Sequence, residues 1–175
     1  MSRGLRIECL GVALQAPSGS NSQGWQFVFV TEAGKKKVIG ELYKKSWYAY
    51  AASGGQRYAK DDLRREQLPR VASSAQYLAD RMHEVPVMVI PCIEGRVDRA
   101  GASNADMAGL YGSILPAAWS FMLAARDRGV VGSWTTLHLN YEREVADFLG
   151  VPDERYTQAD LLALWLRTGG GFLAE

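Results

Sequence analysis

The stretch Val85-Pro86-Val87-Met88-Val89-Ile90-Pro91-Cys92 is apolar at consecutive rather than alternate positions, so it reads as a buried strand. Helical patterns surround it. Leu5 to Gln15 is dense enough in apolar residues for a helix buried on more than one side. Trp25 to Val30 is a β-rich run. Gly34 to Ala52 reads as a second helix, stopped by Ser53-Gly54-Gly55. From Asp61 to about Met82 the pattern is helical, charged at first and then apolar, as for a helix passing from surface to core. A long helix, Ala105 to Asp127, ends at Gly129 as a left-handed cap requires. Val130–Thr136 and Ala159–Arg167 are strand candidates, separated by a helix from about Tyr141 to Leu149 that stops at Gly150 and Pro152. Helices and strands thus mix without a regular βαβ repeat. That argues for an α+β chain, a three-layer α/β sandwich, rather than a doubly wound sheet. At 175 residues, with no repeat, low-complexity stretch or linker, the expectation is one domain over 1–175.

Several function classes are excluded by what the chain lacks. Net charge is +1, so no basic field points to nucleic acid, and Lys35-Lys36-Lys37 reads as the solvated face of a helix start. Cys9 and Cys92 have neither the spacing nor the context of a metal site and read as buried free thiols. His83 and His138 are the only histidines, so a His-rich metal site is impossible, and both read as structural or surface residues. No G-x-G-x-x-G follows a strand, and Gly169-Gly170-Gly171 reads as a flexible tail. No apolar run approaches the ~18 residues that span a bilayer, and no hydrophobic signal core opens the chain. The expected setting is cytoplasmic, with no membrane or nucleic-acid partner.

The chemistry concentrates in Ala16-Pro17-Ser18-Gly19-Ser20-Asn21-Ser22-Gln23-Gly24-Trp25-Gln26-Phe27, a polar loop joining an apolar helix to an apolar strand. Glycines permit backbone geometries closed to other residues, and Ser, Asn and Gln offer neutral donors and acceptors. This suits a polar, uncharged partner such as a flavin ring or a sugar-like chain. A plain connection whose Ser and Asn cap turns is the competing reading.

The loop resembles the Pro-Ser-x-x-Asn-x-Gln-Pro-Trp signature of the nitroreductase family of FMN-dependent oxidoreductases, followed there too by a strand of the Phe27-Val28-Phe29-Val30 type. Ser113 to Ala125, running into Gly129-Val130-Val131-Gly132-Ser133-Trp134-Thr135-Thr136, is similar to the family's central helix and the glycine-bearing turn after it. Tyr156 to Leu164 resembles its late strand. The resemblance implies a mostly antiparallel central sheet flanked by helices, and an intertwined homodimer with flavins at the subunit interface. The stripe Tyr111, Leu115, Trp119 and Met122 is then either dimer seam or monomer core. Pro17, Ser18, Ser20, Asn21 and Gln23 would contact the ring and ribityl chain, with Gly132 and Ser133 at the reactive edge. For Gly132, close packing at a strand start is the alternative.

No catalytic side chain and no metal ligand is expected, because the flavin carries the hydride and electrons. The implied function is FMN-dependent reduction, by NAD(P)H, of a nitro compound, quinone or similar small-molecule acceptor. The alternative is a non-catalytic flavin-binding or storage protein, or a scaffold that has lost FMN. Two departures motivate it. The family's Arg-Arg-Ser-x-Arg phosphate clasp has no match around Met1-Ser2-Arg3-Gly4-Leu5-Arg6, and the sequence stops soon after Gly170-Gly171-Phe172, where members carry further basic residues. Arg3, Arg6 and Arg167 are the candidate substitutes. Gly24, in place of the signature proline, is expected to loosen the start of the strand.

Overall fold

A computed structural model describes residues 1–166 of the chain. Its elements are α1 (Arg3–Ala13), β1 (Trp25–Val30), α2 (Ala33–Ala52), α3 (Leu68–Arg81), β2 (Val87–Glu94), α4 (Asn104–Asp127), β3 (Val130–Thr135), α5 (Glu142–Leu149), β4 (Tyr156–Gln158) and β5 (Leu161–Leu166). The strands form one antiparallel sheet in the order β1-β2-β5-β3, with β4 also paired to β2.

Strand β2 is apolar on both sides because it faces two cores. Met88, Ile90 and Cys92 join Leu161 and Ala163 under α2, α3 and α5, where Ile39, Tyr43, Trp47, Leu78 and Val145 meet them. Val87 and Val89 join Leu162 and Leu164 under α1 and α4, against Cys9, Ala13, Phe121 and Ala125. The result is the expected three-layer α+β sandwich, with helices on both faces of the sheet.

The strand expected over Ala159–Arg167 has a discontinuity. Cys92 pairs with Gln158 and Val89 with Leu162, so three steps on β2 face four on the partner. One extra residue is accommodated, as in a β-bulge. The interruption falls opposite Pro91, which has no N–H to give to a ladder, although its carbonyl accepts from Ala159 N at 3.0 Å. The bulge brings Asp160 into the interior, 0% exposed. Arg167 and Gly169-Gly170-Gly171 lie outside the described residues.

Helix α4 begins with a capping box, Ser103 Oγ accepting from Asp106 N and Asp106 Oδ2 from Ser103 N. It ends before Gly129, which takes φ +75° as the sequence requires. Contrary to the expectation that no run approached bilayer length, its 24 residues are long and apolar enough to cross one. One face of it packs in the core, where Ile114, Ala117, Ala118 and Phe121 are fully buried. The stripe expected as seam or core lies beside this set rather than in it, with Trp119 50% exposed.

Two further corrections concern single residues, Lys36 and Gly24. Lys36 is not on a solvated face: it is 8% exposed and its Nζ donates to the Val85 carbonyl at 2.6 Å. Gly24 does not loosen the start of β1, since its carbonyl accepts from Glu94 N at 3.0 Å and a Cβ there would meet the Glu94 Cβ at 3.0 Å. His138 is fully buried, whereas His83 is exposed. Cys9 and Cys92 are buried free thiols as expected. Burial, with help from Glu142 and Asp160, pushes the Cys92 thiol up to about 12, so it is no nucleophile.

Candidate active site

The polar loop is held by its own hydrogen bonds and by α4. Gly19 N donates to Ser113 Oγ at 2.8 Å, and the Trp25 indole N–H donates to the Ser113 carbonyl. Within the loop, Ser18 Oγ accepts from Gln23 N at 3.0 Å, and the Gln23 amide donates to Asn21 Oδ1 at 2.8 Å. Ser20, Asn21 and Gln23 all adopt φ between 52° and 53°, a region disfavoured for residues with a Cβ. Pro17, Ser20, Asn21 and Gln23 remain exposed and Ser18 half-buried. Among the described residues the Asn21 NH2 and Gln23 Oε1 have no partner, so they stay free for a ligand.

Gly132 and Ser133 are elsewhere. They sit on β3, at the opposite edge of the sheet from β1, three strand spacings or roughly 14 Å away. The seven expected site residues therefore form two groups in one protomer, five on the loop and two on β3. At Gly132 a Cβ would approach Leu164 Cδ2 to 2.6 Å, so the missing side chain serves close packing against β5. Ser133 faces a different environment, a cavity of about 700 Å³.

That cavity lies between the end of β3 and the α2–α3 pair. Ser133, Trp134 and Thr135 form one wall, Tyr43 and Trp47 of α2 a second, and Gln67, Arg70 and Ser74 a third. Thr135 Oγ1 donates to the Tyr43 hydroxyl at 3.1 Å. Burial raises the Tyr43 phenol above its ordinary pKa, with the Thr135 bond acting the other way. Among the described residues, Arg70 is the one cation lining the cavity and forms no ion pair. Because β3 is outermost among the described strands, half of its backbone N–H and C=O groups have no neighbouring strand among the described residues. At the rim, the Trp134 ring lies 6.4 Å from Trp119 of α4.

Sequence reasoning reached Ser133 but missed Arg70, Gln67, Tyr43 and Trp47. Thr135 stood in the quoted segment beside Gly132 and was a usable signal. Arg70 had none, hidden behind Arg64 and Arg65 in a charged helix start. Of the expected phosphate partners, Arg6 donates to the Met1 carbonyl at 3.1 Å and stacks 5.5 Å from the Phe29 ring. Neither Arg3 nor Arg6 lines the cavity.

A sequence profile of the nitroreductase family matches residues 1–164. Among solved structures, the chain is similar to a BluB-like flavoprotein from Clostridium difficile 630, with a TM-score of 0.66, 17% identity, and coverage of 97% of this chain and 83% of that one. It is similar to iodotyrosine deiodinase bound to FMN and 3-iodo-L-tyrosine, with a TM-score of 0.67, 20% identity, and coverage of 98% and 82%. A nitroreductase with bound FMN from Bacteroides fragilis NCTC 9343 matches with a TM-score of 0.57, 21% identity, and coverage of 100% and 82%.

Proposed function

This chain belongs to the nitroreductase family and is in class a flavin oxidoreductase; from that premise we propose that it holds FMN and uses NAD(P)H to reduce a small nitro compound, quinone or similar acceptor. The observation that carries this reading is the cavity at the outermost strand, where, among the described residues, one wall holds an arginine without an ion pair and the other has backbone groups without a neighbouring strand.

The residues present fit a flavin. A planar ring matches the aromatic walls of Trp47 and Trp134, and its alternating donors and acceptors match the free edge of β3. Arg70 supplies positive charge for an anionic edge or phosphate. The loop adds neutral amide and hydroxyl groups of the kind a ribityl chain bonds. Bound FMN supplies the hydride and electron chemistry. The chain's own residues orient the ring, exclude water and offer hydrogen bonds around it. No side chain is needed as a proton-transfer catalyst in this reading.

Loop and cavity serve one flavin only if two copies contribute. Helix α4 links the two groups, with Ser113 holding the loop and Trp119 standing at the cavity rim, six residues or about 9 Å along the axis. Its exposed Trp119 and Leu123, 50% and 52% accessible, leave an apolar ridge between them. A twofold pairing along this ridge would set the loop of one copy against the cavity of the other. A cytoplasmic homodimer is therefore part of the proposal.

FMN titration followed by a steady-state assay tests it. The expected result is a yellow protein that oxidises NAD(P)H only when an acceptor is present. FMN binding without turnover would favour storage. Protein that no added FMN can reconstitute would favour a scaffold. Light scattering should return a dimer mass at micromolar concentration, and a monomer would overturn the shared site.

A further inference from the structure

We propose that a second cavity, set against the first across Trp47, Val71 and Ala75, holds the uncharged apolar arm of a quinone acceptor. The inference deepens the reading above and rests on the first cavity being the flavin and acceptor site.

Helix α3 sorts its residues between two spaces. Arg70 and Ser74 line only the first cavity, Leu68, Pro69 and Ala72 only the second, and Val71 and Ala75, one turn apart, line both. Trp47 of α2 completes the common wall. The second cavity has about 500 Å³, within the range of small-molecule sites. Its character differs from the first, because among the described residues none that lines it carries a charge. Trp47 and Tyr50 form an aromatic corner, with ring centroids 5.8 Å apart and planes at 43°. The one side-chain amide is Gln56, whose NH2 donates to the Arg57 carbonyl at 3.3 Å.

A carboxylate or sulfonate placed there would lose hydration without gaining a counterion. An alkyl chain would gain about 0.8 kcal/mol per buried methylene. The adjacency of the two open spaces suits one ligand with a polar redox ring in the first and an apolar arm reaching over Trp47 into the second. The ring takes a hydride equivalent from NAD(P)H and a proton from solvent. It leaves as the hydroquinone while NAD(P)⁺ departs, and no bond in the arm changes.

The test compares three probes: a naphthoquinone bearing a hexyl arm, ring-only menadione, and a naphthoquinone sulfonate. Dissociation constants are read from protein fluorescence with and without FMN, and KM from NAD(P)H oxidation. Wild type should bind the armed quinone about tenfold or more tighter than menadione, the equivalent of roughly two buried methylenes, and the sulfonate most weakly. Ala72→Phe, at an exposed position of α3 that lines only the second cavity, should erase the preference for the arm. Affinity for menadione and FMN should stay within about twofold. Ala51→Leu, from the α2 side of the same cavity, should act alike and guards against a folding defect in either variant.

Equal binding of armed and ring-only quinones by wild type would overturn the inference, as would a preference that survives both substitutions in folded protein. The FMN titration separates this from the broader reading. Loss of the arm preference in the variants of a protein that never binds FMN would keep the cavity assignment and discard the flavoenzyme. A turning-over flavoenzyme indifferent to the arm would do the reverse.

Discussion

The loop from Ser18 to Gln23 and the buried side chains of His138, Gln158 and Asp160 meet their polar demands in opposite ways. In the loop, side chains and backbone bond one another and the Ser113 hydroxyl, at the cost of three left-handed residues. In the interior, both Asp160 oxygens, both His138 nitrogens and Gln158 Oε1 are buried without a hydrogen-bond partner among the described residues. The compensation there is a change of protonation. Burial pushes the Asp160 carboxyl up to about 7. It pushes His138 down to about 3, opposed only weakly by the Gln158 side chain, which lies near the ring without completing a hydrogen bond to it. Backbone strain fixes the shape of the surface loop, whereas desolvation in the core makes stability depend on pH.

The largest test of this contrast is Asp160→Asn. A carboxyl whose folded pKa is raised contributes stability that is full below about pH 4 and lost as pH rises through about 7. A histidine whose folded pKa is lowered contributes stability that is full above about 6.5 and lost as pH falls through about 3. Between pH 4 and 6.5 the two slopes oppose each other. Removing the carboxyl should leave the histidine slope alone, so urea unfolding of the variant should gain about 1.4 kcal/mol per pH unit relative to wild type over that window. Parallel profiles would show that Asp160 has partners in solution.

Lys36→Met comes next. It probes a buried polar group that does have a partner, and should cost about 1–3 kcal/mol by orphaning the Val85 carbonyl. A neutral result in denaturant unfolding would mean that the carbonyl finds water. Ser113→Ala removes the acceptor for Gly19 N, and should lower stability by about 1 kcal/mol and weaken FMN binding with it. Intact FMN affinity in that variant would show that the loop keeps its shape without α4. The smallest effect belongs to Asn21→Gly. At φ 53°, glycine relieves strain while deleting the amide, so the apo melting temperature should hold or rise. FMN affinity should fall about five- to tenfold if the amide touches the cofactor. An unchanged FMN dissociation constant would remove Asn21 from the site.

Local chemistry was legible in the sequence. The β1 limits, the length of α4 and the turn at Gly129 follow from periodicity and from one residue that tolerates a left-handed backbone. The bulge at Ala159–Asp160 was not, because the sequence reads as one strand starting at Ala159 and the break depends on Pro91, some 70 positions earlier. Strand order escaped for a similar reason. Periodicity says which face a residue takes but not which edge its strand occupies, so Asn21 and Ser133 stood together on paper and lie on opposite edges in the fold. Arg70 joined the site only through the pairing of α3 with α2 and β3. Lys36 read as solvated because its carbonyl partner, Val85, lies 49 residues away.

The Trp119–Trp134 pair gives the molecule an optical signature of its own. Two indoles with centroids 6.4 Å apart, one on the apolar ridge and the other lining the cavity, couple their electronic transitions strongly enough to register in near-ultraviolet circular dichroism. Subunit association would reach that signal through Trp119, and occupancy of the cavity through Trp134. Dilution and flavin titration can therefore be followed on the unlabelled protein, with Trp119→Phe and Trp134→Phe assigning each change to its ring.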